Sequence, residues 1–329
     1  MKICVVGAGA IGCFLGARLA LEKGSEVSAL ARGATLVALR DHGWRLQEAA
    51  GLVQAPAALA ADDPRELGPQ DLLVIAVKSP ALPALAPTLA PLLGADTVVL
   101  PAMNGVPWWF GSGIAALEQR PLESVDPGGA IARALPVARV VGCVVHAAVS
   151  TAAPGIGVHR MGRGLILGEA AGAESARLTE LATLFGRAGF ETRTSASIRH
   201  DLWYKLWGNM TMNPVSAITG ATLDRVLDDE LVRAFCSAAM REAAAVGASI
   251  GCDVHESPED RHAVTRKLGA ARTSMLQDVE ALRPLELDAL VGAVREIGAR
   301  VGMATPAIDA LFGLARLFGR VHGLYPTDV

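Results

Sequence analysis

Aromatic residues are scarce in this chain of 329 residues: only 4 % of positions are Phe, Trp or Tyr. Alanine, leucine and valine must therefore fill most of an interior drawn from a hydrophobic share of 51 %. Cysteine is sparse too. Cys4, Cys13, Cys143, Cys236 and Cys252 form an odd, dispersed set without a CxxC pair, which points to reduced thiols in a cytoplasmic protein. No run of about 18 apolar residues is free of Pro, Gly or charge, so no membrane span is expected. An excess of positive charge is missing as well: the net charge is −3 and no basic stripe stands out, which argues against nucleic acid as a partner. The apolar start Lys2–Val6 is broken by Gly7, Gly9 and Gly12, unlike an export signal. Serines lack a GxSxG context, which speaks against a hydrolase. Cys252, His255 and His262 lack a clear fourth ligand for zinc, so no metal is expected.

What is present alternates short apolar runs with helical patterns, the mark of a parallel sheet with crossover helices. Strands are expected at Lys2–Val6, Glu26–Leu30, Asp71–Val77, Thr97–Leu100 and Val140–Val149, with a hairpin made of Gly157–Met161 and Gly164–Leu167. Helices are expected at Ile11–Lys23 and Glu174–Ala188, and two short helical pieces within the proline-interrupted stretch Ser79–Leu93. Between Pro107 and Pro136 the pattern fails, in a segment that opens with Trp108, Trp109 and Phe110. After about Thr194 the chain reads as helices: Ser197–Ile218, Asp228–Ile250, Pro258–Ala271, Pro284–Gly302 and Pro306–Arg320, with Pro284 and Pro306 suited to first turns. The fold class is therefore α/β: a Rossmann-type N-terminal domain over residues 1–194, then an all-helical domain over residues 195–329.

Gly7-Ala8-Gly9-Ala10-Ile11-Gly12 is a GxGxxG placed between a strand and a helix. Gly7 permits a tight turn, Gly9 lets the backbone approach a pyrophosphate, and Gly12 lets the helix pack on the strand. The second strand ends in Leu30-Ala31-Arg32-Gly33. A carboxylate for ribose hydroxyls is absent there, and the planar guanidinium of Arg32 suits a 2′-phosphate, which selects NADP over NAD. Lys78 ends the next buried strand, where a lysine can reach cofactor phosphates or a substrate anion, or can be a plain surface residue. Asn104-Gly105 suits a carbonyl or a nicotinamide ribose, and is equally a common turn pair. Lys205, Asn209 and Asn213 lie four apart on one helix, a polar ridge among apolar neighbours that reads as a site rather than a solvated face. Ser274 and Glu286 belong to two further polar segments that prove little alone.

Taken together, these motifs resemble the ketopantoate reductase (2-dehydropantoate 2-reductase) family along nearly the whole chain. The resemblance rests on GAGAIG at residues 7–12, Arg32-Gly33, AVKS at Ala76–Ser79, NGV at Asn104–Val106, His146-Ala147-Ala148, KLWGNMTMNP at Lys205–Pro214, SMLQD at Ser274–Asp278 and ELD at Glu286–Asp288. It implies an NADPH-dependent reduction of a 2-oxo acid, ketopantoate to pantoate as in pantothenate biosynthesis. A related dehydrogenase for another 2-oxo, hydroxy or opine-like acid is the alternative, and a silent NADP-binding sensor a remoter one. By the same resemblance Gly7, Ala8, Gly9, Ala10, Ile11, Gly12, Arg32, Lys78 and Asn104 would hold the cofactor, with Ala148 packing near it and Glu286 on its ribose or among the active-site charges. Lys205 would be the general acid. Asn209, Asn213 and Ser274, with Asn104, would bind substrate oxygens. Two features depart from the family pattern. The Pro107–Pro136 segment looks longer, with aromatics that could reshape or cover the pocket, and Ile218–Leu223 lacks an asparagine that some members use. A homodimer stays open, since Asp228–Ile250 and Pro306–Arg320 are apolar enough for a dimer face or for core packing.

Overall fold

A computed structural model describes residues 1–118 and 120–327, so the last two positions of the expected second domain lie outside the described residues. The chain divides into two units, Met1–Met103 with Ala130–Asp201, and Asn104–Gly129 with Leu202–Val329. The segment Asn104–Gly129 is thus grouped with the helical unit, although the sequence places it in the middle of the α/β half.

The first unit runs β1 (Lys2–Val6), α1 (Ala10–Leu19), β2 (Glu26–Leu30), α2 (Gly33–His42), β3 (Trp44–Glu48), β4 (Gly51–Ala55), β5 (Ala60–Ala61), α3 (Pro64–Leu67), β6 (Gln70–Ile75), α4 (Leu82–Leu85) and β7 (Leu93–Pro101). It resumes with α5 (Ala130–Ala134), β8 (Val141–Ala153), β9 (Ile156–Glu169), α6 (Ala176–Arg187) and β10 (Glu191–Thr194). Five parallel strands form a sheet in the order β5-β2-β1-β6-β7. Leu72, Leu73, Val74 and Ile75 of β6 are fully buried. A strand covered on both faces needs no polar alternation, which is why DLLVIAV reads as one apolar run.

A second sheet, β10-β9-β3-β4 with β8 paired to β9, was legible only in β8 and β9, whereas β3, β4 and β10 were not expected. Helix α1 packs against strands of both sheets, and every residue from Gly12 to Leu19 is buried, as expected of a helix that is apolar nearly all round. Gly16 makes room for this packing: a Cβ there would lie 2.6 Å from the Trp44 ring. The indole of Trp44 is fully buried and its Nε1 donates to the Val27 carbonyl at 3.2 Å. Arg18, the one charged residue in this stretch, pairs with the buried carboxylate of Glu48.

Several expectations are corrected. The hairpin expected within residues 157–167 is a single strand, β9, antiparallel to β8. Gly162, which lies between the two expected strands, has φ +78 inside β9, facing register irregularities around Ala148 of β8. A glycine in a strand often marks a bulge rather than its end. Helix α1 stops at Leu19, short of Lys23. The proline-rich stretch forms α4 flanked by two 3₁₀ turns, Ser79–Ala81 and Ala86–Leu92, rather than two helical pieces.

The second unit is built from α7 (Ile198–Thr219), α8 (Leu223–Asp228), α9 (Glu230–Ser249), α10 (Pro258–Arg266), α11 (Ser274–Glu280), α12 (Ala293–Arg300) and α13 (Pro306–Val321). Helix α7 is anchored on α9 by two indoles: Trp203 Nε1 donates to the Ala243 carbonyl at 3.3 Å and Trp207 Nε1 to that of Met240 at 2.7 Å. Pro306 opens α13 as expected, but Pro284 precedes its helix, which is entered through a π-helical turn at Asp288–Gly292. Among the described residues no helix is long and apolar enough to cross a membrane.

Trp108, Trp109 and Phe110 are 5 %, 2 % and 0 % exposed, and Phe110 stacks on Trp203 with ring centroids 5.8 Å apart. They are core residues of the helical unit. At the far end of their segment, the Glu296 carboxylate accepts from the Glu123 and Ser124 amides at 2.9 and 2.8 Å.

Candidate active site

The carboxyl ends of β2, β1 and β6 stand side by side, because Val6 is in register with both Leu30 and Ile75. That register aligns the glycine turn after β1 with Arg32 after β2 and Lys78 after β6. Ligands of open α/β sheets bind along this edge. The Gly7 amide donates to the Leu30 carbonyl at 2.9 Å, and Gly7 itself has φ +91. A side chain at Gly7 would strike Val77 Cγ1 at 2.6 Å, and one at Gly12 would strike the Gly7 carbonyl oxygen at 1.9 Å. Gly9 differs. It is exposed, and a Cβ there would meet nothing within 4 Å. Gly9 is also the N-cap of α1 and supplies no side-chain cap, so the first amides of the helix are left for another acceptor. Packing thus explains Gly7 and Gly12, whereas Gly9 borders open space.

Arg32 is exposed at the N-cap of α2, and Lys78 is half-buried at the start of the 3₁₀ turn Ser79–Ala81. Ala8 is buried, Ala10 and Ile11 are half-buried, and Ala148 is exposed in the irregular part of β8.

In the helical unit, Lys205, Asn209 and Asn213 share one unbroken helix, α7. Lys205 and Asn209 are half-buried and Asn213 is 5 % exposed. Lys205 Nζ donates to Asn104 Oδ1 at 2.8 Å. Two polar residues 101 positions apart therefore meet, one from a loop and one from a helix. The Asn213 Nδ2 group is buried and has no hydrogen-bond partner among the described residues. Such an orphaned donor costs about 1–3 kcal/mol until an acceptor reaches it. Glu286 is buried just before the π-helical turn. Ser274 is exposed in the first turn of α11, where its neighbour Thr273, not Ser274, is the helix cap.

The residues that hold Asn104 were missed by the sequence reading. Gly105 has φ +82 and presses on the π-helical turn, so closely that a Cβ would lie 2.6 Å from the Ala289 carbonyl oxygen. The next amide, Val106 N–H, donates to that same oxygen at 2.8 Å. The Asn-Gly pair carried the signal, but a turn pair does not reveal what its glycine packs against. Among the described residues no group of three or more His, Cys, Asp and Glu could hold a metal ion.

Comparison with known proteins places the whole chain in one family. The family model described as Ketopantoate reductase PanE/ApbA matches residues 3–172, and its C-terminal counterpart matches residues 197–318. A 2-dehydropantoate 2-reductase of Mesorhizobium japonicum is 43 % identical over 326 residues, covering 99 % of this chain and 100 % of that protein. A solved structure from Ralstonia solanacearum MolK2, assigned to the ketopantoate reductases, superposes with a TM-score of 0.94 at 55 % identity over 98 % of this chain and 99 % of that one. The 2-dehydropantoate 2-reductase of Geobacter metallireducens GS-15 gives 0.83 at 26 % identity, covering 96 % of this chain and 99 % of its own. The chain belongs to the ketopantoate reductase family and is an oxidoreductase acting on a CH–OH group.

Proposed function

We propose that this protein reduces 2-dehydropantoate to pantoate with NADPH, in the cytoplasm, as a step of pantothenate biosynthesis. The observation that carries this reading is the Lys205 Nζ to Asn104 Oδ1 hydrogen bond of 2.8 Å. It pairs an ammonium with an amide that fixes its direction. The family is one of pyridine-nucleotide-dependent oxidoreductases. The open space beside Gly9 and the uncapped start of α1 fit a pyrophosphate, and Arg32 and Lys78 stand on the same sheet edge. When bound, the nicotinamide nucleotide supplies hydride to the keto carbon.

The chain's own residues do the rest. As the carbonyl oxygen gains charge, Lys205 stabilises it as an ammonium and then gives it a proton. Asn104 aims the amine. Asn213 offers its buried Nδ2 donor to a substrate oxygen, which relieves an unsatisfied group that the protein otherwise carries. Asn209, one turn before it, and Ser274 supply further polar contacts for the hydroxyl and carboxylate of a small 2-oxo acid. Glu286 steadies the charges around the amine.

The test is NADPH oxidation across a panel of 2-oxo acids. Ketopantoate is expected to give the highest kcat/KM, and a better substrate elsewhere in the panel would move the assignment to that acid. In the same assay Arg32→Ala should raise the KM for NADPH about tenfold, the loss of roughly one charge-assisted hydrogen bond, and leave the KM for NADH unchanged. Equal losses with both nucleotides would remove Arg32 from phosphate recognition.

A further inference from the structure

The residues that set Asn104 against Lys205 are themselves held from the far end of the chain. Asn104 is carried by Gly105 and Val106, which are seated on the Ala289 backbone. Ala289 lies in the π-helical turn Asp288–Gly292. A π turn is a rare and weakly preferred conformation that recurs at functional sites, so something must hold it. Here the side chain of its first residue, Asp288, accepts a hydrogen bond from the Tyr325 hydroxyl at 2.7 Å. The chain entering the turn is held by the same segment, because the Leu285 amide donates to the Leu324 carbonyl at 3.0 Å. Leu324 in turn donates to the Gly319 carbonyl at 2.7 Å, and Gly319 leaves room for Tyr325, whose Cβ would sit 2.8 Å from a side chain there.

We propose that Tyr325 is a positioning residue: its hydroxyl fastens the C-terminal segment to the π-helical turn that holds Asn104 against Lys205. The proposal rests on the reading of Lys205 and Asn104 as the pair that handles the carbonyl. The coupling path is short and almost wholly backbone. Asp288 is bonded to Ala289, Ala289 receives the Val106 amide, and Asn104 is two residues upstream. Backbone contacts at van der Waals distance leave no slack, so a displaced turn displaces the amide that aims the amine. Burial pushes the Asp288 carboxyl above the ordinary carboxylate range, with the Tyr325 hydrogen bond and the Arg316 charge pulling it back. A half-buried acid in that position gains more from a donor than an exposed one would.

The experiment compares kcat and KM for the 2-oxo acid turned over fastest, the Kd for NADPH and the melting temperature in a set of variants. Tyr325→Phe keeps the ring and removes the bond. It should lower kcat about tenfold, as expected of a modest misplacement of a catalytic group, with only a small rise in the Kd for NADPH, since of the residues expected to hold the cofactor only Asn104 and Glu286 belong to the helical unit. Asp288→Asn retains an oxygen that can accept from Tyr325 and should keep most of the activity, whereas Asp288→Ala should fall as far as Tyr325→Phe. In an Asn104→Ala background Tyr325→Phe should lower kcat no further, since the group it positions is gone. A purely structural role predicts the same fall in both backgrounds. Wild-type kcat in Tyr325→Phe, or a full second fall on top of Asn104→Ala, overturns the proposal. Should Tyr325→Phe not fold, Asp288→Asn against Asp288→Ala reads the same bond. Lys205→Ala, run alongside, separates two kinds of failure. If it is inactive while Tyr325→Phe is normal, only the positioning role falls. If it is fully active, the carbonyl-handling pair falls and its fastening with it.

Discussion

Lys205→Ala should lose about three orders of magnitude in kcat, a value inside the range for a proton donor and inside that for a charge that stabilises a developing alkoxide. The Kd for NADPH should change little, because most of the expected cofactor contacts, Gly7–Gly12, Arg32 and Lys78, belong to the other unit and only Asn104 and Glu286 to this one. Folding should be spared too. Lys205 is half-buried, and the apolar anchors of α7, Trp203, Leu206, Trp207 and Met210, are untouched. Lys205→Arg is the informative companion. It keeps the positive charge but replaces a compact point charge by a planar fork, so it should recover little. Stopped-flow binding of NADPH and steady-state turnover measure both quantities. Turnover within tenfold of wild type in Lys205→Ala would take the amine out of the reaction.

How much of this was readable from the sequence follows from which interactions are local. Strand β1, the glycine turn and β2 were legible because each is decided within a few residues: an apolar run, a glycine with φ +91, a polar stop. The ridge on α7 was legible because helical periodicity is local as well. Of the second sheet, β8 and β9 were legible as strands, and the rest was not. Its strand β3 pairs in parallel with β9, whose partners at residues 156–158 lie more than a hundred positions away, and nothing in Trp44–Glu48 announces that distance. Gly162 misled for the opposite reason. A glycine in the left-handed region reads as a turn from its neighbours alone, and only the register of β8 shows that the strand continues through it. The segment after Asn104 showed no helical or strand pattern because its packing, Phe110 stacked on Trp203, is made with a distant helix. The π-helical turn left no trace in an apolar pattern, Leu287 to Val301, that reads as plain helix.

The three glycines of the turn look alike in sequence and should behave differently when a methyl group is added. Gly12→Ala places a Cβ 1.9 Å from the Gly7 carbonyl oxygen. That clash is with backbone, so α1 must move off β1, and the packing between the two sheets moves with it. A loss of about 3 kcal/mol in stability, the upper part of the overpacking range, is expected, and cofactor binding is lost as a consequence. Gly7→Ala adds strain at φ +91 to a contact of 2.6 Å with Val77, and should resemble it. At Gly9 the backbone is in an extended conformation that alanine adopts freely, with no atom within 4 Å of the new Cβ. Stability should change by no more than about 0.5 kcal/mol, the cost of a poorer N-cap. The methyl group nevertheless enters the space where a pyrophosphate must meet the first amides of α1. Loss of one or two hydrogen bonds to a charged group, at about 1.5–3 kcal/mol each, raises the Kd for NADPH on the order of a hundredfold. Thermal melting and NADPH fluorescence titration on the three variants separate the effects. A Gly9→Ala protein that melts normally and binds NADPH normally would show that the open space beside α1 is not where the cofactor goes.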